Sequence, residues 1–60
     1  NPQGIDSNYF YGDFLAKQKE YAAARQALEK ALSAPERPNR PVADAGRRAE
    51  IRALLDTLQS

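Results

Sequence analysis

The segment Tyr9–Pro35 constrains the fold most, because two stretches with helical spacing of apolar residues are separated there by a turn of three residues. A connection this short requires the two helices to lie side by side and antiparallel. Small residues stand at Gly12, Ala24 and Ala31, where the helices would approach each other closely. The pattern therefore predicts an antiparallel helical hairpin.

The ends of the hairpin helices also carry signals. The first helix is predicted over residues 7–18, with the side chain of Asp6 or Ser7 accepting hydrogen bonds from the free N–H groups of the first turn. The second is predicted over residues 21–34. The intervening turn, Gln18–Glu20, contains no glycine. One of its residues is therefore expected to adopt a left-handed conformation at a modest steric cost.

A third helix follows a proline-rich segment. Residues 35–41 read PERPNRP, which predicts an extended, polyproline-II-like link. Apolar residues then recur at helical spacing over Ile51–Leu58, and they predict a helix over residues 42–58. The predicted fold is all-α, with a helical hairpin and a third packed C-terminal helix. Its predicted core contains Tyr11, Phe14, Leu15, Tyr21, Ala24, Leu28, Ala31, Ile51, Leu54 and Leu58.

Composition excludes several function classes. The chain has 60 residues, a net charge of +1, and neither cysteine nor histidine, so it lacks the commonest general base and the commonest metal ligands. Its serines and carboxylates are not arranged with a neighbouring base or as a close acid–base pair. We therefore predict a protein that is not an enzyme, with no catalytic residues, no cofactor and no metal site.

The charge pattern and the hydropathy pattern bear on the choice of partner. Acidic residues interleave with the arginines of the C-terminal segment, whereas a nucleic-acid-binding protein usually concentrates its basic residues on one face. No apolar run approaches the roughly 20 residues that a membrane span needs. The sequence therefore predicts neither a nucleic-acid partner nor a membrane span. Nothing in it indicates a cellular compartment.

A repeat signal connects the two halves of the chain. Gly12 and Gly46 are 34 residues apart, which is the period of the tetratricopeptide repeat. With Gly12 at the eighth position of such a repeat, Ala24, Leu28 and Ala31 fall on the small, large and small positions of the second helix. The chain thus resembles the tetratricopeptide repeat (TPR) family.

The resemblance implies a division of residues 1–60 as a single TPR-like domain. Residues 1–4 would end a preceding repeat, residues 5–38 would form one repeat, and residues 39–60 would form a capping helix. The match has departures, since Asn8 stands where the family usually has Trp and Lys19 stands where the turn glycine belongs.

In the family, the first helices of successive repeats line a concave groove that holds a peptide or a helix. Carried onto this sequence, the groove residues are Tyr9, Asp13, Lys17, Arg47 and Glu50. Tyr9 would pack against an apolar side chain of the ligand, and Arg47 would bind a carboxylate through its planar guanidinium. The resemblance therefore implies a non-catalytic protein–protein interaction or scaffold module that is a fragment of a larger protein.

Three alternatives remain open at this point. The chain could be a structural end cap of a helical solenoid that self-associates through an exposed surface of its first helix. The segment Pro35–Arg40, PERPNR, also fits the spacing P-x-x-P-x-R of ligands for Src-homology-3 (SH3) domains. Finally, the chain could be a generic three-helix bundle in which the spacing of the glycines is coincidental.

Overall fold

The described residues form three α-helices. The computed structural model describes residues 4–34 and 41–59. It contains α1 (Ile5–Lys17), α2 (Tyr21–Leu32) and α3 (Pro41–Gln59), and these two ranges contain no strand. Helices α1 and α2 pack closely, and α3 packs against both. The predicted all-α fold, a hairpin with a third packed helix, is confirmed. The predicted extended link and the SH3-type motif lie at residues 35–40, outside the described residues.

Helix α1 begins two residues earlier than predicted. Ile5 is its first residue and is only 1% exposed, while Gly4 precedes it in an extended conformation. Neither Asp6 nor Ser7 caps the helix, so that prediction is wrong. Because Ile5 is buried against the core, the helix already begins at this residue, and Asp6 and Ser7 lie within its first turn. The side-chain amide Nδ2 of Asn8 then donates to the carbonyl oxygen of Gly4 at 2.9 Å.

The turn between α1 and α2 confirms the predicted left-handed residue. Lys19 has a φ of 62°. Its N–H donates to the carbonyl of Ala16 at 3.0 Å, and the N–H of Glu20 donates to the carbonyl of Leu15 at 2.9 Å. This pair of hydrogen bonds is the Schellman motif, which satisfies the last carbonyls of a helix and usually places glycine where Lys19 stands.

Replacing Lys19 by glycine should stabilise the fold. We expect Lys19→Gly to raise the free energy of unfolding by about 0.5–1 kcal/mol, because glycine removes the steric cost of the left-handed conformation but loses more entropy on folding. Urea unfolding followed by circular dichroism measures this change. The matched control is Lys30→Gly in the exposed part of α2, which should cost about 1 kcal/mol. Equal losses in both variants would contradict the strain assigned to Lys19.

The contact between α1 and α2 is as close as its small residues predicted. A Cβ atom added to Gly12 would lie 2.7 Å from both Cγ and Cδ2 of Leu28 and 3.4 Å from the carbonyl oxygen of Ala24. Leu28 is fully buried, so it has little room to retreat. Leu28 also belongs to the buried core cluster, which consists of Ile5, Leu28, Ala31, Ile51 and Leu55.

Three aromatic residues predicted in the core lie at the surface instead. Tyr11, Phe14 and Tyr21 are 57%, 55% and 45% exposed. The face of α1 that packs inward carries Ile5, Asn8 and Gly12, which are all buried. Since each residue turns a helix by about 100°, Phe14 points to nearly the opposite side from Gly12.

The other predicted core residues divide into two groups. Ala24, Leu28, Ala31 and Ile51 are buried as predicted, whereas Leu15, Leu54 and Leu58 are only half-buried.

Arg48 ties α3 to the end of the hairpin. Its guanidinium donates one hydrogen bond to the carbonyl of Leu32 and another, of 3.0 Å, to the carbonyl of Ala34. The last carbonyls of a helix lack partners within it and carry the negative end of the helix dipole, so a cation is favourable there. This anchor fixes where α3 lies beside the hairpin.

Candidate functional site

The predicted groove residues lie on α1 and α3, and we call their common face the α1/α3 surface. Tyr9, Asp13 and Lys17 follow one another at intervals of four residues along one side of α1. Arg47 and Glu50 are three residues apart on α3, so they share one side of that helix.

Arg47 is at the centre of this surface. Its Nε donates to Oδ1 of Asp6 at 3.0 Å, and its Nη1 donates to Oε1 of Glu50 at 3.2 Å. Its Cζ lies 4.7 Å from the ring centroid of Tyr9 and 5.0 Å from that of Phe10. The guanidinium therefore joins α1 to α3 through one ion pair between helices and two ring contacts.

These contacts change the role predicted for Arg47. Two of its three guanidinium nitrogens already donate to carboxylates, and its side chain is only 23% exposed. A ligand carboxylate would have to displace Asp6 or Glu50 before it could bind the guanidinium in a bidentate manner. Arg47 therefore acts first as a support that holds the ring of Tyr9 in place, since cation–π contacts contribute about 0.5–1 kcal/mol at exposed sites.

Asp13 and Lys17 form a second, separate part of the surface. Nζ of Lys17 lies 3.1 Å from Oδ2 of Asp13, and their side chains are 74% and 34% exposed, respectively. The structure thus brings Tyr9, Arg47 and Glu50 together, while Asp13 and Lys17 pair with each other one and two turns further along α1. An exposed pair of this kind contributes little to stability, so both side chains are available to a ligand at small cost.

Sequence reasoning missed Asp6 and Phe10 as members of the site. Asp6 was interpreted as a helix cap, but its carboxylate pairs with Arg47, 41 residues away in the sequence. A signal was present, because Asp6 lies three residues before Tyr9 and four before Phe10 and so shares a side of α1 with them.

The side chains of the α1/α3 surface are of mixed chemistry. They combine an aromatic ring with carboxylates and cations whose charges are largely balanced by internal pairs. Within residues 4–34 and 41–59, no group of three or more acidic side chains could hold a metal ion. None of the helices in those ranges is both long and apolar enough to cross a membrane. Comparison of the chain with protein-family models, curated proteins and solved structures found no match.

Proposed function

We propose that this chain is a non-catalytic protein–protein interaction module of the TPR type, and that its α1/α3 surface binds an extended peptide segment of a partner protein. The observation that carries the proposal is the arrangement around Arg47, which holds the half-buried ring of Tyr9 between two helices. A surface that is already ordered loses less conformational entropy on binding than one that must order itself.

The residues of the surface favour one class of peptide. Tyr9 and Phe10 offer ring faces for an apolar side chain. The side chain of Glu50 is 54% exposed, so its carboxylate can accept a hydrogen bond from a basic residue of the ligand. Because the guanidinium of Arg47 is already occupied, an acidic ligand group is not favoured at the centre. The preferred ligand is therefore an extended peptide with an apolar residue close to a lysine or arginine.

The helical hairpin supports the TPR-like interpretation. The contact of Gly12 with Leu28 and Ala24 is the close helix approach that the small positions of such a repeat require. Helix α3 lies against both hairpin helices, where a capping helix is expected, and Arg48 fixes it there. We propose residues 5–38 as the repeat and residues 39–60 as the capping helix.

The proposal is tested by selecting peptides from a random library on the immobilised 60-residue chain and measuring their affinities by fluorescence anisotropy. The selected peptides should carry an apolar residue next to a basic one. The double variant Asp13→Ala/Lys17→Ala should bind them about tenfold more weakly, which corresponds to ~1.4 kcal/mol. Both side chains are outside the core, so circular dichroism should show an unchanged helix content.

The matched control is Arg52→Ala/Asp56→Ala on α3. These two residues also carry opposite charges four residues apart, are both exposed, and lie around α3 away from Glu50. This variant should bind the selected peptides as tightly as the unchanged chain. Equal weakening by both double variants, or a library that yields no binding peptide, would refute a peptide site on the α1/α3 surface.

A further inference from the structure

Asp6 belongs to the α1/α3 surface, but the proposed function gives its carboxylate no direct part. Its Oδ1 accepts a hydrogen bond from Nε of Arg47 at 3.0 Å, across the contact between α1 and α3. Its side chain is 40% exposed, so the carboxylate that holds Arg47 also faces solvent. Asp6 is thus placed where it can act on a ligand as well as on Arg47.

The guanidinium of Arg47 has two edges that a carboxylate can bind. One edge is formed by Nε and Nη2 and the other by Nη1 and Nη2, and each presents two parallel N–H donors. Asp6 lies at the first edge because it accepts from Nε, and Glu50 lies at the second because it accepts from Nη1 at 3.2 Å. A ligand carboxylate therefore meets another carboxylate at either edge.

Asp6 and Glu50 hold the guanidinium in different ways. Glu50 is three residues from Arg47 on the same helix, and its side chain is the more exposed of the two, so it can turn outward towards a ligand. Asp6 is on the other helix, and its neighbours Ile5 and Asn8 are buried. These neighbours fix the first turn of α1, so the carboxylate of Asp6 is presented to Nε at a high effective concentration. Of the two carboxylates, Asp6 is the harder for a ligand to displace.

The position of the guanidinium does not depend on Asp6 alone. Its Cζ lies 4.7 Å and 5.0 Å from the ring centroids of Tyr9 and Phe10, inside the roughly 6 Å over which a ring face attracts a cation. Glu50 holds Nη1 independently of Asp6. Removal of the Asp6 carboxylate should therefore leave the guanidinium on these rings with its Nε edge vacated.

The charges around the guanidinium indicate which ligand Asp6 excludes. Two carboxylates surround one cation, so the centre of the surface has an excess of negative charge. A basic residue of a ligand is attracted to this excess, whereas an acidic residue faces like charge and finds both edges taken. Without the carboxylate of Asp6, the charges at the centre would balance, and one edge could bind a ligand carboxylate through two hydrogen bonds.

We propose that Asp6 determines the charge specificity of the peptide site, because it occupies the Nε edge of Arg47 as an internal ligand and so restricts the site to basic peptides. This inference rests on the proposed function. Specificity of this kind comes from blocking the wrong ligand as well as from binding the right one. Loss of this single carboxylate should convert a surface that selects basic peptides into one that selects acidic peptides.

Parallel selection from one random peptide library on the unchanged chain, Asp6→Ala and Asp56→Ala tests this specificity. The unchanged chain should select peptides with an apolar residue next to a basic one. Asp6→Ala should select peptides with an acidic residue instead, and these should bind it about tenfold more tightly than they bind the unchanged chain. Asp56→Ala is the matched control, because it removes the same charge from an exposed position towards the C-terminal end of α3. It should select basic peptides.

A second variant, Asp6→Asn, separates specificity from a structural role. Its amide oxygen can still accept from Nε of Arg47, so the contact between α1 and α3 is kept while the charge is removed. Fluorescence anisotropy compares a selected basic peptide with its counterpart in which glutamate replaces the basic residue. The ratio of the two affinities should fall clearly below that of the unchanged chain. A merely structural role of Asp6 would weaken both peptides alike and leave this ratio unchanged.

The possible outcomes distinguish this inference from the proposed function. Basic peptides selected by Asp6→Ala, or an affinity ratio that Asp6→Asn does not change, would overturn the inference and leave the peptide site standing. A library that yields no peptide on the unchanged chain would overturn both. Acidic peptides bound to Asp6→Ala should also shift the NMR signal of the Nε–H group of Arg47, and a signal that stays in place would overturn the assignment of the vacated edge.

Discussion

Gly12→Val is expected to lower the free energy of unfolding by about 1–3 kcal/mol, because it inserts methyl groups into a fully packed contact. The added Cβ alone would lie 2.7 Å from two carbon atoms of Leu28, which is fully buried. Either α1 and α2 move apart or Leu28 leaves its rotamer. A chain of 60 residues has a total stability of about 3–9 kcal/mol, so this loss would be a large fraction of it.

The same substitution at Gly46 provides a matched control. Gly46 is also inside a helix, but a Cβ added there would meet nothing within 4 Å. Gly46→Ala should therefore stabilise the chain by about 1 kcal/mol, which is the difference in helix propensity, and Gly46→Val should stabilise it less. Urea unfolding measures the free energy of unfolding of the Ala and the Val variant at each of the two glycine positions. Similar effects at Gly12 and Gly46 would contradict the close contact between α1 and α2.

Ile51→Ala should weaken the packing of α3 against the hairpin more than any other substitution considered. Ile51 has no exposed surface and packs in one cluster with Ile5 of α1 and Leu28 of α2. Truncating a buried isoleucine costs about 2–5 kcal/mol, through lost transfer energy and the cavity left behind. We expect this loss to loosen the packing of α3 on the hairpin and to lower the midpoint of thermal unfolding clearly.

Phe14→Ala provides the contrast for Ile51→Ala. It removes a larger side chain, but that side chain is 55% exposed, so the loss of stability should be about 0.5 kcal/mol or less. Both variants are compared by thermal unfolding at the same concentration. A Phe14→Ala variant that unfolds as readily as Ile51→Ala would place the aromatic residue in the core after all.

The hairpin could be predicted from the sequence because its signals are local. The three-residue turn forces an antiparallel pair, and small residues at Gly12, Ala24 and Ala31 mark the contact. The rotation of α1 could not be predicted in the same way. Its inward side contains an asparagine and a glycine, so hydrophobic spacing favoured the more apolar stripe through Tyr11 and Phe14.

The burial of Asn8 has a local explanation. Its amide donates to the carbonyl of Gly4 within the same turn, which satisfies one of its donors. Hydrophobic periodicity does not register such a bond, because it scores asparagine only as a polar residue.

The site was predictable to the extent that it follows from helical spacing. Arg47, which the register placed on one surface with Tyr9 and Glu50, contacts the ring of the first and pairs with the carboxylate of the second. The contacts of Arg47 with Asp6 and of Arg48 with the end of α2 were not predicted. They join residues 41 and 14–16 positions apart, and they depend on how α3 crosses the hairpin.

The most direct test of the proposed binding function is an NMR titration of the isotope-labelled chain with a peptide selected on it. Binding at the α1/α3 surface should shift the amide signals of Tyr9, Asp13 and Lys17 on α1, together with those of Arg47 and Glu50 on α3. The signal of Tyr11, on the other side of α1, should not move. Shifts confined to the side of α1 that carries Tyr11, or to residues 35–40, would contradict the proposed site and place peptide binding elsewhere on the chain.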